Sequence, residues 1–160
     1  MTSQNLFTNE VLDWLLDAND PGVRYLVLRD LLDCQPDDRE LWLACTAAHQ
    51  NGPIAAVLAA MEGEGYWVEP GPGYYPKYRG TVWSLILLSQ LGASDAEDER
   101  IGQACAYILD HALTTGGQFT ASGAPSGTAD CLQCNLCAAL LDLGYEDPRL
   151  ELAFEWMARS

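Results

Sequence analysis

Three cysteines stand at a spacing that suits metal or thiol chemistry. Cys131, Cys134 and Cys137 form Cys-x-x-Cys-x-x-Cys in a segment whose apolar pattern predicts a helix. Successive members of such a set lie about 60° apart around a helix axis, so the three thiols share a face about 120° wide. Thiolates so placed could hold zinc or an iron–sulfur cluster, which normally want a fourth ligand from Cys105, His111, Asp130 or another chain. Cys131, near the helix start, could instead have a depressed pKa and work with Cys134 as a redox pair. As small apolar residues, all three could equally be packing in a helix core. The spacing alone leaves the three readings open.

A second cluster is aromatic. Tyr66, Trp67, Tyr74, Tyr75, Tyr78 and Trp83 surround Lys77, the single lysine of the chain, and Arg79, two of only 8 cationic side chains. One reading is an aromatic wall for an apolar or isoprenoid ligand, lined by Trp67, Tyr74, Tyr75, Tyr78 and Trp83, with Lys77 and Arg79 on an anionic head such as diphosphate. Aromatic faces also attract cations. The other reading is that the rings cap the ends of helix pairs and the cations pair with Glu64 and Glu69 nearby. His49 and His111 fall near predicted helix C-termini, where the dipole favours an imidazolium for structural reasons alone. The Gly-, Thr- and Ser-rich stretch 114–128 lacks the lysine of a phosphate-cradling loop and reads as a connector.

The elements that must position these residues are helical. Thr8 or Asn9 can cap a first helix with Val11, Leu12, Leu15 and Leu16 on its apolar face. Asp20-Pro21 opens a second, with Val23, Leu26, Val27, Leu31 and Leu32 inward. Pro36-Asp37-Asp38 starts a third, carrying Leu41, Trp42 and Cys45, and Asn51-Gly52-Pro53 leads into a fourth, Ile54 to Met61. A long loop over 62–79 precedes a fifth helix, Thr81 to Leu91, stopped by Gly92. The sixth spans Glu97 to His111 behind an acidic run that suits its dipole. A seventh runs from Thr128 to Leu143 and stops at Gly144. The eighth opens at Asp147-Pro148. Nothing reads as a strand, and the class is all-α.

The pattern repeats. Gly65-Tyr66-Trp67 returns as Gly117-Gln118-Phe119, and Leu91-Gly92 as Leu143-Gly144, both 52 residues on (65 to 117, 92 to 144). After a three-residue insertion, Arg100-Ile101 matches Arg149-Leu150. Two landmarks with one offset mark an internal repeat. The expected organisation is one domain: N-terminal helices over 1–62, then two matching units, 63–113 and 114–160. Helix pairs that cannot bury their stripes alone must stack, so the expected architecture is an open arc of about eight helices in antiparallel pairs.

The unit resembles the repeat of the α/α-toroid superfamily that includes squalene and hopene cyclases and the β subunits of protein prenyltransferases. There a helix ends in a loop of the form Gly-Gly-x-Phe or Gly-x-Trp. Gly116-Gly117-Gln118-Phe119 fits that form, and Gly65-Tyr66-Trp67 fits it more loosely. The likeness extends to Tyr75-Pro76-Lys77-Tyr78 with Thr81-Val82-Trp83, and to Asn135 through Leu143-Gly144-Tyr145. It covers about residues 50–160 and implies a toroid-like arc with an isoprenoid-type ligand. The departures matter as much. The Asp-x-Asp-Asp acid of terpenoid cyclases and the Asp-Asp-x-x-Asp metal motif are both absent, and Asp130-Cys131 is too compressed for a prenyltransferase zinc site. The strings 37–40 and 95–98 read as helix caps. With Ser160 the last residue, too few pairs are present to close a toroid.

Composition sets the remaining bounds. With 23 acidic residues against 8 Lys and Arg, the net charge is −15. Such a polyanion is repelled by nucleic-acid phosphates and anionic membranes. No apolar run is long enough to span a bilayer, and no leader is visible at Met1-Thr2-Ser3, so the expectation is a cytoplasmic protein with reduced thiols. The combined expectation is a non-catalytic binding or scaffold module for an apolar, isoprenoid-like ligand or a partner subunit, acting as a homo-oligomer or in a complex. The alternatives are a terpenoid cyclase or prenyltransferase-type enzyme completed by a partner chain, and a metal or thiol site on Cys131, Cys134 and Cys137.

Overall fold

The computed structural model describes residues 9–17 and 19–159. They are all-helical: α1 (Asn9–Leu16), α2 (Pro21–Leu26) running on as a π-helical turn (Val27–Leu31), α3 (Arg39–Gln50), α4 (Pro53–Ala59), α5 (Thr81–Gln90), α6 (Glu99–Ala112), α7 (Asp130–Asp142) and α8 (Arg149–Arg159). Among the described residues no strand forms; the β features are the isolated bridges Leu113–Phe119 and Thr120–Thr128. Among the described residues no helix is long and apolar enough to cross a membrane. The chain divides into two compact units with the boundary inside α4, between Ala55 and Ala56.

In the first unit α2 packs on α1 and α3. The Asp20 carboxylate accepts from the N–H of Gly22 at 2.8 Å, and Pro21 takes the first helical position, where its missing N–H costs nothing. The sequence places Leu31 and Leu32 inward, but they are 43% and 39% exposed. The reason is the π turn: Leu32 N–H bonds to Val27 C=O at 3.0 Å, five residues back. This wider turn rotates Leu31 and Leu32 off the buried face that holds Val27 and Leu28. Val11 and Trp42 are likewise exposed, while Leu12 and Leu41 are buried. α3 starts at Arg39 and not at Pro36, because the Asp38 carboxylate accepts from the N–H groups of Glu40 and Leu41 at 2.7 and 3.3 Å. Thr8 lies outside the described residues, and Asn9 is already within α1.

In the second unit α5 packs on α6 and α7, and α7 on α8. Val82, Leu85, Leu88, Ile101, Ile108, Phe119, Leu136 and Leu140 are fully buried there. Two copies of one helix–loop–helix unit recur with the same bonds. Gly65 N–H donates to Glu62 C=O and Gly117 N–H to Thr114 C=O; Glu62 N–H donates to Tyr66 C=O and Thr114 N–H to Gln118 C=O. Gly92 N–H and Gly144 N–H close matching turns onto Ser89 and Leu141. Gly65 and Gly117 both take positive φ, 95° and 88°. A Cβ on Gly65 would meet the Gln103 carbonyl oxygen at 3.0 Å, and one on Gly117 would overlap that of Leu152. Gln103 and Leu152 are themselves equivalent, 49 residues apart once the three-residue insertion is passed (103 to 152). Each glycine therefore lets its loop touch the backbone of the helix after next, α6 for Gly65 and α8 for Gly117.

The helix starts repeat as well. Asp98 accepts from Arg100 N–H at 3.0 Å, and Asp147 from Arg149 N–H at 2.8 Å. Each arginine folds back on its own aspartate through its guanidinium. α7 begins at Asp130 rather than Thr128, because the Thr128 hydroxyl donates to Pro125 C=O at 2.9 Å and so belongs to the preceding turn.

Candidate aromatic binding site

The loop between α4 and α5 is anchored from within. Trp67 is 4% exposed; its indole N–H donates to Val57 C=O at 2.8 Å and its backbone N–H to the Thr81 hydroxyl at 3.2 Å. The Tyr107 hydroxyl accepts from Gly71 N–H at 2.7 Å, which ties the middle of the loop to α6. Trp83, on the first turn of α5, donates its indole N–H to Tyr74 C=O at 2.8 Å. The rings then gather around Trp83: Tyr74 at 5.3 Å and Tyr78 at 4.9 Å between centroids, with Tyr75 edge-on to Tyr74 at 5.1 Å. These separations are those of attractive aromatic pairs.

Lys77 lies over this surface, its Nζ 5.1 Å from the Tyr78 ring and 5.8 Å from the Trp83 ring, within cation–π range. A hydrogen bond with Tyr78 holds the ammonium above its usual pKa. Among the described residues neither Lys77 nor Arg79 pairs with Glu64 or Glu69, and Arg79 is exposed. Tyr75 and Tyr78 are 65% and 72% exposed. Tyr78 has φ of 67°, a region in which a bulky side chain costs about 1–2 kcal/mol. A strained backbone thus presents a large ring to solvent.

Beside these rings runs an apolar groove of about 300 Å³, lined by Ala56 and Val57 of α4 and Ala60 just beyond it, by Trp67 and Tyr78, and by Trp83, Ser84 and Leu87 of α5. Of the sequence-predicted set, Trp67, Tyr78 and Trp83 reach the groove. Tyr74 and Tyr75 back the ring cluster, Lys77 covers it, and Arg79 is at the surface. Ala56 and Val57 of α4, Ala60 just after it and Leu87 of α5 are the wall that the sequence does not reveal; the alanines' only signal is their small size.

The second copy shows what the scaffold requires and what it does not. At the same 52-residue offset, Tyr74, Tyr75, Lys77, Tyr78, Arg79 and Trp83 correspond to Ser126, Gly127, Ala129, Asp130, Cys131 and Asn135. The anchors correspond closely: Trp67 to Phe119, Leu88 to Leu140, Leu91 to Leu143. Thr81 corresponds to Gln133, which is fully buried and accepts from Phe119 N–H at 2.7 Å while its amide donates to Gly117 and Ala153 C=O at 2.9 and 3.1 Å. The fold therefore does not demand the aromatic and cationic residues of the first loop.

The three cysteines part company. Cys137 is buried, at the place that Leu85 fills in the first copy, and burial pushes its thiol up to about 11. Cys131 and Cys134 are exposed. Cys134 Sγ lies 3.8 Å from Met157 Sδ on α8. Among the described residues no three His, Cys, Asp or Glu side chains are grouped to hold a metal ion. Cys105 and His111 do not join the thiols either: Cys105 is fully buried, its thiol pushed well up by burial, and His111 stacks on Tyr107 at 3.9 Å and bonds through Nδ1 to its carbonyl. His49 is buried, with Nδ1 2.9 Å from Cys45 C=O. The acidic strings near 38 and 98 contain the caps of α3 and α6. No protein-family model matches the chain, and no curated protein or solved structure matches it.

Proposed function

We propose that the protein is a non-catalytic binding module whose groove beside Trp83 takes an apolar, isoprenoid-like chain with an anionic head. The observation that carries this reading is Tyr78, a large ring held at positive φ and 72% exposed although its counterpart in the second copy is Asp130. Strain that serves neither burial nor the repeat points to a role in recognition. The groove volume of about 300 Å³ lies at the small end for small-molecule sites, enough for a short branched chain laid along Ala56, Ala60 and Leu87. Lys77, over the Tyr78 and Trp83 rings, and the exposed Arg79 two residues on supply positive charge in a chain with net charge −15, where an anionic head would otherwise be repelled.

The likeness of the Gly-x-aromatic loops to those of terpenoid cyclases and protein prenyltransferases supports the same ligand class and an arc of stacked helix pairs. Extraction of the purified full chain followed by mass spectrometry tests the reading. An isoprenoid or related lipid anion should co-purify, and Lys77→Ala with Arg79→Ala should lose it. Retention unchanged in that double variant removes the head-group role; absence of any apolar anion from the wild-type extract removes the ligand class.

A further inference from the structure

We propose that Cys131, Cys134 and Met157 form a binding site for a soft, thiophilic monovalent metal ion of the Cu(I) type, apart from the aromatic groove. Cys131 and Cys134 stand one turn apart on α7, which puts their Cβ atoms about 5–6 Å from each other on the surface, and both are exposed. The Cys134 thiol donates to the Met157 thioether, 3.8 Å away on α8. Cys134 and Met157 thus meet at a groove of about 230 Å³ lined by Asp130, Gln133, Cys134, Trp156 and Met157, and Cys131 stands one turn before Cys134 on the same helix.

The repeat argues that these sulfurs are not there for packing. Cys137 takes the buried place of Leu85, so its presence is explained by the core. Cys131 instead stands where the first copy has Arg79, a surface position the scaffold leaves open. Cys134 matches Val82, which is fully buried, yet is itself exposed. Met157 matches Ile108 at the 49-residue offset (108 to 157); Ile108 is fully buried, whereas Met157 is half-buried and borders the groove. At these places the second copy exposes two thiols and half-exposes a thioether, with Cys134 touching Met157 and Cys131 one helical turn from Cys134.

The donor set selects the metal. Thiolate and thioether are soft ligands that favour Cu(I), which accepts two or three sulfurs. Zinc prefers four ligands of nitrogen, sulfur or oxygen in a closed tetrahedron, and among the described residues no fourth is in place. Binding exchanges two protons for one metal ion: Cu(I) and two thiols give a bis-thiolate complex and two H⁺, with the Met157 sulfur donating a lone pair and no change of oxidation state. Uptake is therefore favoured by rising pH.

The test is anaerobic titration of the reduced full chain with Cu(I) alone, against a chromophoric Cu(I) chelator. One ion per chain should transfer to the protein. Cys131→Ser and Cys134→Ser should each weaken retention by more than the roughly 10- to 100-fold typical of losing an outer-shell partner, and Met157→Leu by on the order of tenfold. Cys34→Ser should change nothing. Because Cys131 and Cys134 are exposed, circular dichroism of their variants should match wild type. A second readout needs no variant: Cu(I) should protect Cys131 and Cys134 from iodoacetamide, mapped by mass spectrometry, while Cys34 stays reactive. No Cu(I) uptake, uptake unaltered in the two serine variants, equal preference for Zn(II), or protection confined to other cysteines would each overturn the assignment. None of these outcomes depends on ligand binding in the aromatic groove.

Discussion

Gln133 Oε1 accepts a hydrogen bond from the backbone N–H of Phe119 at 2.7 Å, with both residues wholly buried. The same side chain donates to the carbonyls of Gly117 and Ala153. One amide thus clamps the Gly-x-aromatic loop to α7 and α8. In the first copy Thr81 fills the equivalent position and binds Trp67 N–H alone. Replacing Gln133 by Leu leaves the Phe119 N–H and the Gly117 C=O buried without partners, at about 1–3 kcal/mol each, while the Ala153 carbonyl keeps its place in the α8 ladder. Urea unfolding followed by circular dichroism should show a loss of about 3 kcal/mol or more for Gln133→Leu. Thr81→Val, which strands one donor, should cost less, on the order of 1–2 kcal/mol. Equal losses would show that the two clamps do not differ as described.

Gly117 sits at positive φ against the Leu152 backbone, whereas Gly63 has nothing within 4 Å of the position a Cβ would take. Gly117→Ala therefore meets both an unfavourable backbone conformation, about 1–2 kcal/mol, and an overlap with a carbonyl that cannot swing aside. Gly63→Ala should be within about 0.5 kcal/mol of wild type. The melting temperatures of the two variants decide the matter, and a Gly117→Ala protein as stable as Gly63→Ala contradicts the loop geometry.

Tyr78 separates stability from binding. Asn tolerates positive φ better than Tyr, so Tyr78→Asn relieves strain of about 1 kcal/mol while giving up an exposed ring contact with Trp83. Thermal unfolding should show a protein no less stable than wild type, and ligand retention should fall. A clear drop in melting temperature would mean that Tyr78 serves the fold.

The Asp147–Arg149 pair sets a pH dependence. The Arg149 guanidinium hydrogen-bonded to Asp147 holds that carboxyl below its ordinary value of 3.8. A carboxylate with a depressed folded pKa adds stability above its unfolded pKa, and that contribution disappears as pH falls through the folded value. Stability should therefore decline below about pH 4 more steeply in wild type than in Asp147→Asn. Parallel pH profiles for the two proteins would rule out this contribution.

The all-helical class, the helix stops at Gly92 and Gly144, and the 52-residue repeat were all readable in the sequence, because glycine at positive φ and an aromatic plug are needs that few residues meet. The role of Gln133 was not, since an amide in a helix gains its meaning from two carbonyls on other segments. Nor was Met157, brought to Cys134 by α8. Leu31 and Leu32 misled because a π turn breaks the 3.6-residue period on which the inward assignment rests. In the aromatic cluster the residue types were legible, but the groove wall was not: Ala56, Val57 and Ala60 carry no chemistry until Trp83 and Leu87 face them.

The most direct measurement is a fluorescence titration of the tryptophans with farnesyl diphosphate, run beside farnesol and inorganic diphosphate. A groove that holds an apolar chain by its anionic head should give saturable binding of the diphosphate ester, weaker binding of farnesol and none of inorganic diphosphate. The ester signal should be lost in Trp83→Leu. No saturable response to the ester, or an equal response in Trp83→Leu, would contradict this role for the groove.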